Sequence, residues 1–157
     1  MRILLLAAGL FCAATASAAE LRPFKTDGCT GYADGTRKKP GLWKHCCVEH
    51  DLGFWAGGDS RERRLTDERL RDCIAATGEK LQAEIIYLGV RLGSYSPMKI
   101  RGMQWGNAWS PWATRKEKLL SGEIDSLEDE ILREVYDPIL GLDQRRDFID
   151  RLRARID

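Results

Sequence analysis

Six consecutive residues, Cys46-Cys47-Val48-Glu49-His50-Asp51, bring together two thiols, an imidazole and carboxylates. On a helix Cys46 and His50 are four apart and share a face. Cys47 and Asp51 form a second such pair, offset by about 100°. Disulfides on two adjacent faces would clamp this helix one turn from each ionisable group. One bridge can reach a second long helix through Cys73, the other the N-terminal loop through Cys29. Suppose Cys46 bonds Cys73 between antiparallel helices. His50 then lies about 6 Å along the axis from Cys46, and Asp67 about 9 Å from Cys73 in the matching direction. The two side chains stand at similar heights, within reach of a hydrogen bond. A carboxylate on an imidazole sets its tautomer and stabilises its cation, which makes His50 a positioned general base. Asp51 is a hard oxygen donor suited to calcium, and loop carbonyls are its usual companions. Cys46, Cys47, Cys73 and His50 are also zinc-ligand types. Adjacent cysteines in an exported chain read as disulfides instead. His45, the other histidine, reads as structural or exposed.

The export reading rests on the N-terminus. Met1-Arg2 precedes an apolar run of roughly 12 residues, and Ala16-Ser17-Ala18 fits a cleavage site, so residues 1–18 read as a secretory signal. Phe11 before Cys12 argues against lipid anchoring. Cleavage removes Cys12 and leaves an even set, Cys29, Cys46, Cys47 and Cys73, as a disulfide framework requires. It also removes Arg2, leaving 24 of the 25 basic residues against 24 acidic ones. That balance gives no support to nucleic-acid binding. The apolar run is too short to span a bilayer, so no transmembrane segment is expected after cleavage.

The elements that must position the site follow from periodicity and breakers. Residues 20–42, with four glycines and two prolines, read as loop. A helix is expected over about 42–56, closed by Gly57-Gly58. Asp59-Ser60 offers the N-cap of a second helix, running to about Leu92 with breaks possible at Gly78 and Gly89. Residues 93–113, rich in Gly, Pro and Trp, read as a loop or short hairpin. Helices are expected over 114–136, stopped by Pro138, and over about 142–155. The chain thus reads as mostly α: residues 1–18 a signal, and 19–157 one domain with its core at about 27–92 and additional C-terminal helices at 114–157.

Together these residues resemble the signature of secreted phospholipase A2. Cys46-Cys47-x-x-His50-Asp51 is similar to the family's active-site helix, Asp27-Gly28-Cys29 to the start of its calcium loop. Asp67, six residues before Cys73, has the spacing of the family's His-orienting aspartate. The resemblance covers about residues 27–75. It implies a disulfide-linked antiparallel helix pair, with bridges Cys29–Cys47 and Cys46–Cys73. It also implies calcium-dependent hydrolysis of the sn-2 ester of phospholipids at a membrane surface. His50 and Asp67 would be catalytic. Asp51 and the carbonyls of Gly28, Thr30 and Tyr32, counted from Cys29, would hold Ca2+. A non-catalytic protein of the same fold that binds lipid or a protein partner is the alternative.

The departures from the family pattern are local. The usual cysteine two residues after the metal aspartate is Gly53, and its usual partner before the orienting aspartate is Thr66, so one whole bridge is missing. A usual tyrosine is Phe54, which cannot donate to Asp67. The glycines after Cys29 are displaced, Cys29 to Cys47 spans two extra residues, and Asp34 is a substitute oxygen ligand to consider. Trp105, Trp109 and Trp112 are either a membrane contact, because indole suits the lipid–water interface, or packing over the helices.

Overall fold

Among the described residues five helices are formed: α1 (Lys44–Ala56), α2 (Ser60–Ala76), α3 (Lys80–Gly93), α4 (Ser121–Leu132) and α5 (Leu142–Arg153). The structure, a computed structural model, describes residues 21–93, 104–109, 117–133 and 139–156. Among the described residues there is no strand. The expected signal, Trp112 and Pro138 lie outside them.

Each boundary has a local cause. Gly57, at φ +83°, ends α1 in the left-handed region, and a Cβ there would lie 2.7 Å from the Gly106 Cα. Asp59 caps α2, its carboxylate accepting from the Arg61 and Glu62 amides at 2.8 and 2.9 Å, worth about 1 kcal/mol. The long second helix expected from the sequence is two helices. It breaks at Gly78, at φ +95°, and continues without interruption through Gly89. The helix expected over 114–136 is described only as Ser121–Leu132. Glu123 accepts from the Leu120 amide at 2.8 Å at its start.

The pairings run antiparallel. Cys46 is bridged to Cys73 and His50 meets Asp67, so moving up α1 moves down α2. Arg71 approaches Glu84 while Asp67 meets Arg91, which reverses α3 against α2. Arg145 donates to the Ile131 carbonyl and Arg153 to Asp125, which reverses α5 against α4.

α1 lies between two apolar clusters. Val48, Leu52 and Trp55 join Ile124, Leu127 and Ile131 of α4 and Phe148, Ile149 and Leu152 of α5. Cys46 and Cys47 join Trp43, with Leu70 and Ile74 of α2 and Ala83 and Ile86 of α3. Burial of α1 from both sides makes it the rigid element on which ionisable side chains are held in place. Two disulfides, Cys29–Cys47 and Cys46–Cys73, tie it to the loop and to α2.

Candidate active site

His50 stands on α1 with its ring 10% exposed, opposite the fully buried Asp67 of α2. Its Nε2 lies 2.9 Å from Asp67 Oδ1. A carboxylate only accepts, so Nε2 carries the proton and donates, leaving Nδ1 with a lone pair. Asp51 Oδ1 lies 3.9 Å from that Nδ1, too far for a direct hydrogen bond and close enough to act through its charge. Burial works to lower the His50 pKa. The carboxylates of Asp51 and Asp67 outweigh it, and the pKa is raised above 6.5.

The second Asp67 oxygen is also held. Arg91 of α3 donates from a guanidinium nitrogen to Oδ2 at 2.8 Å, and its side chain is 25% exposed. Phe54 instead packs beside the imidazole, with ring centroids 5.7 Å apart, and its other side meets Trp105 edge-on at 5.3 Å. A cation thus satisfies the second Asp67 oxygen, to which Phe54 has no hydroxyl to donate. Sequence reasoning missed Arg91 because allowing a break at Gly78 did not say which residue beyond it returns to Asp67. The turn at Gly78 brings it back, and Gly78 is the signal that could have found it.

Gly53 and Thr66 face each other. A Cβ on Gly53 would lie 2.7 Å from Thr66 Cγ2. The two positions at which the resemblance would place a further bridge are therefore neighbours.

The loop before α1 is brought to Asp51 by the Cys29–Cys47 bridge and by Thr26, whose hydroxyl donates to Asp51 Oδ2 at 2.6 Å. Thr26 Oγ1 also accepts from the Gly28 amide at 3.1 Å. Thr26 is a second residue the sequence reading missed; a hydroxyl just before Asp27-Gly28 was its only signal. The Gly28 carbonyl accepts from the Thr30 amide at 3.1 Å. The Thr30 hydroxyl donates to Asp27 at 2.6 Å, and the exposed Tyr32 donates its phenol to Gln82. Asp34 turns into the loop, accepting from the Cys29 amide at 2.8 Å. The Asp51 carboxylate and the Thr26 hydroxyl are hard oxygen donors, so the chemistry of this pair fits calcium. An ion that uses both oxygens of Asp51 must either take Thr26 Oγ1 as a ligand or displace its hydrogen bond.

Two further expectations resolve here. Cys46, Cys73 and His45 gather their potential ligand atoms within 4.8 Å, but the two sulfurs are joined as a disulfide and offer no thiolate to zinc. Trp105 is 2% exposed, its indole donating to the Gly58 carbonyl at 2.7 Å. Trp109 is half-buried and donates to the Ala56 carbonyl at 2.7 Å. The Gly106 and Ala108 amides bond the Phe54 and Trp55 carbonyls. This segment caps the orphan carbonyls at the end of α1, so the two tryptophans pack inward rather than offer a membrane contact.

A cavity of about 10 Å³ touches His50, Glu49, Thr66 and Phe148 of α5. Arg151 of α5 pairs with Glu49, one of the lining residues, at 2.5 Å. Comparison with protein-family models, curated proteins and solved structures gives no match to this chain.

Proposed function

We propose that this chain is a secreted or periplasmic, calcium-dependent hydrolase of phospholipase A2 type that cleaves the sn-2 ester of phospholipids. The observation that supports this best is His50 held by buried Asp67 through one ring nitrogen while the other lies beside Asp51. In this reading His50 Nδ1 takes a proton from water as the oxygen attacks the ester carbonyl. Asp67 keeps Nε2 protonated and, with Asp51, stabilises the transient imidazolium. His50 then returns the proton to the departing alkoxide, giving a free fatty acid and a lysophospholipid with no acyl-enzyme. Calcium bound at Asp51, Thr26 and the loop carbonyls would supply positive charge to the substrate phosphate and the developing oxyanion.

The second reading is a non-catalytic lipid- or partner-binding protein of this fold. The loop favours it: Asp34 turns inward to accept from the Cys29 amide, and Thr26 already holds one oxygen of Asp51. Fatty-acid release from mixed phospholipid vesicles, with calcium and with chelator, separates the two. Calcium-dependent release lost in His50→Ala supports the hydrolase. Vesicle or partner binding with no release supports the second reading.

A further inference from the structure

α3 carries two apolar faces. Ala83 and Ile86 are buried and pack with α2, with Val90 partly buried in the same cluster. On the opposite side Leu81, Ile85, Leu88 and Leu92 are 70%, 44%, 57% and 72% exposed. Their spacing of four, three and four residues lines them up within about 60° of arc along roughly 20 Å of helix. Single exposed leucines are ordinary; a continuous stripe is not.

The ground beside the stripe is basic. Tyr32 donates to Gln82 of α3, and both line a broad open cleft of about 770 Å³ together with Arg37. Lys38 and Lys39 follow Arg37 on the exposed loop, and Lys80 is exposed at the start of α3. The acidic residue on the exposed part of α3, Glu84, lies 4.0 Å from Arg71. An apolar stripe alone would suit a second copy of the chain equally well. Arg37 in the cleft beside Gln82, with Lys38 and Lys39 next to it in sequence, and Lys80 at the N-terminal end of the stripe select a negatively charged partner surface.

We propose that the outer face of α3, with Arg37, Lys38, Lys39 and Lys80, docks the protein onto an anionic phospholipid surface. The leucine stripe enters the headgroup–acyl boundary while the cations lie among the headgroups. The same helix reaches Asp67 through Arg91 on its inner side, so the docking face and the His50–Asp67 pair are joined by one element. The proposal rests on the reading above only for its choice of phospholipid as partner.

The test is co-sedimentation of the full chain with phosphatidylcholine vesicles, with and without phosphatidylglycerol, in chelator. Two variants are compared: Leu81→Ser/Leu88→Ser, and Arg37→Gln/Lys38→Gln/Lys39→Gln. Wild type should bind the anionic vesicles far better than the neutral ones, and added salt should weaken binding. Each cation near the surface is worth about fivefold, so the triple variant should bind about a hundredfold more weakly. The leucine variant should lose binding even to strongly anionic vesicles. Circular dichroism checks that both variants remain folded. Unchanged binding in either variant, or no binding by wild type, overturns the proposal. So does a concentration-dependent dimer, seen by sedimentation velocity, that the leucine variant abolishes. Chelator removes hydrolysis from the readout, so failure of fatty-acid release leaves this result standing, and failure of docking leaves the release assay standing.

Discussion

Arg91 donates to the one oxygen of Asp67 that His50 does not use, so the buried carboxylate is shared between an imidazole on α1 and a guanidinium on α3. The arrangement joins three helices at a single side chain. It also places a permanent positive charge behind the His50–Asp67 pair.

Arg91→Gln should therefore do more than trim a surface residue. It removes a charge-assisted hydrogen bond from a fully buried carboxylate, at a cost of about 2 kcal/mol, moderated because Arg91 itself is partly exposed. Urea denaturation reads the stability. Turnover should fall several-fold with little change in KM, because the altered group orients His50 and does not touch substrate. An unchanged midpoint and unchanged turnover would remove Arg91 from the site.

The raised pKa of His50 has two consequences of opposite sign. Its protonated form is favoured in the fold, so its contribution to stability is fully present below the unfolded value near 6.5. That contribution is lost as pH rises through the higher folded pKa. Hydrolysis needs the neutral ring, so activity should rise with pH through the His50 pKa of the calcium-loaded protein, which lies below that of the metal-free fold because the ion offsets the Asp51 charge. Asp67→Asn removes one of the charges that raises it and should move the acid limb of the rate profile to lower pH. A limb that stays in place, or moves upward, would contradict this electrostatic picture.

The Cys29–Cys47 bridge closes a segment with a sequence separation of 18. In the chain-entropy account its loss costs about 3 kcal/mol. Cys29→Ser/Cys47→Ser should also release the Thr26–Gly28 segment from Asp51 and weaken calcium binding in titration calorimetry. Asp51→Asn should abolish that binding with the helices intact by circular dichroism. Calcium affinity equal to wild type in Asp51→Asn would show that the ion is not held there.

Gly53 and Thr66 are close enough that Gly53→Ala should force Thr66 to shift, destabilising by about 1–3 kcal/mol. Gly53→Cys/Thr66→Cys should instead form a third bridge, seen by peptide mapping without reductant. Two free thiols in the oxidised double variant would show that the helix faces do not meet as described.

Asp67 was legible in the sequence because helical rise converts residue spacing into height, and its height from Cys73 falls within about 3 Å of that of His50 from Cys46. Asp59 was legible because a cap needs only a local side chain. Both disulfides are those that the resemblance implied. Arg91 and Thr26 were not legible, because their contacts depend on where the chain turns: Arg91 on the break at Gly78, Thr26 on the loop drawn in by Cys29. Trp105 and Trp109 were ambiguous for a chemical reason. An indole serves an interface and a helix end equally well, and only the unpaired carbonyls at the end of α1 decide between them.

The most direct measurement is the initial rate of fatty-acid release from phospholipid vesicles at saturating calcium by wild type, His50→Ala, Asp67→Asn and the double variant. A positioned base contributes about 10²–10⁴-fold. His50→Ala should lose calcium-dependent release, Asp67→Asn should be substantially slowed, and the double variant should be little worse than His50→Ala, because the two act as one unit. Release by His50→Ala near the wild-type rate would contradict the account.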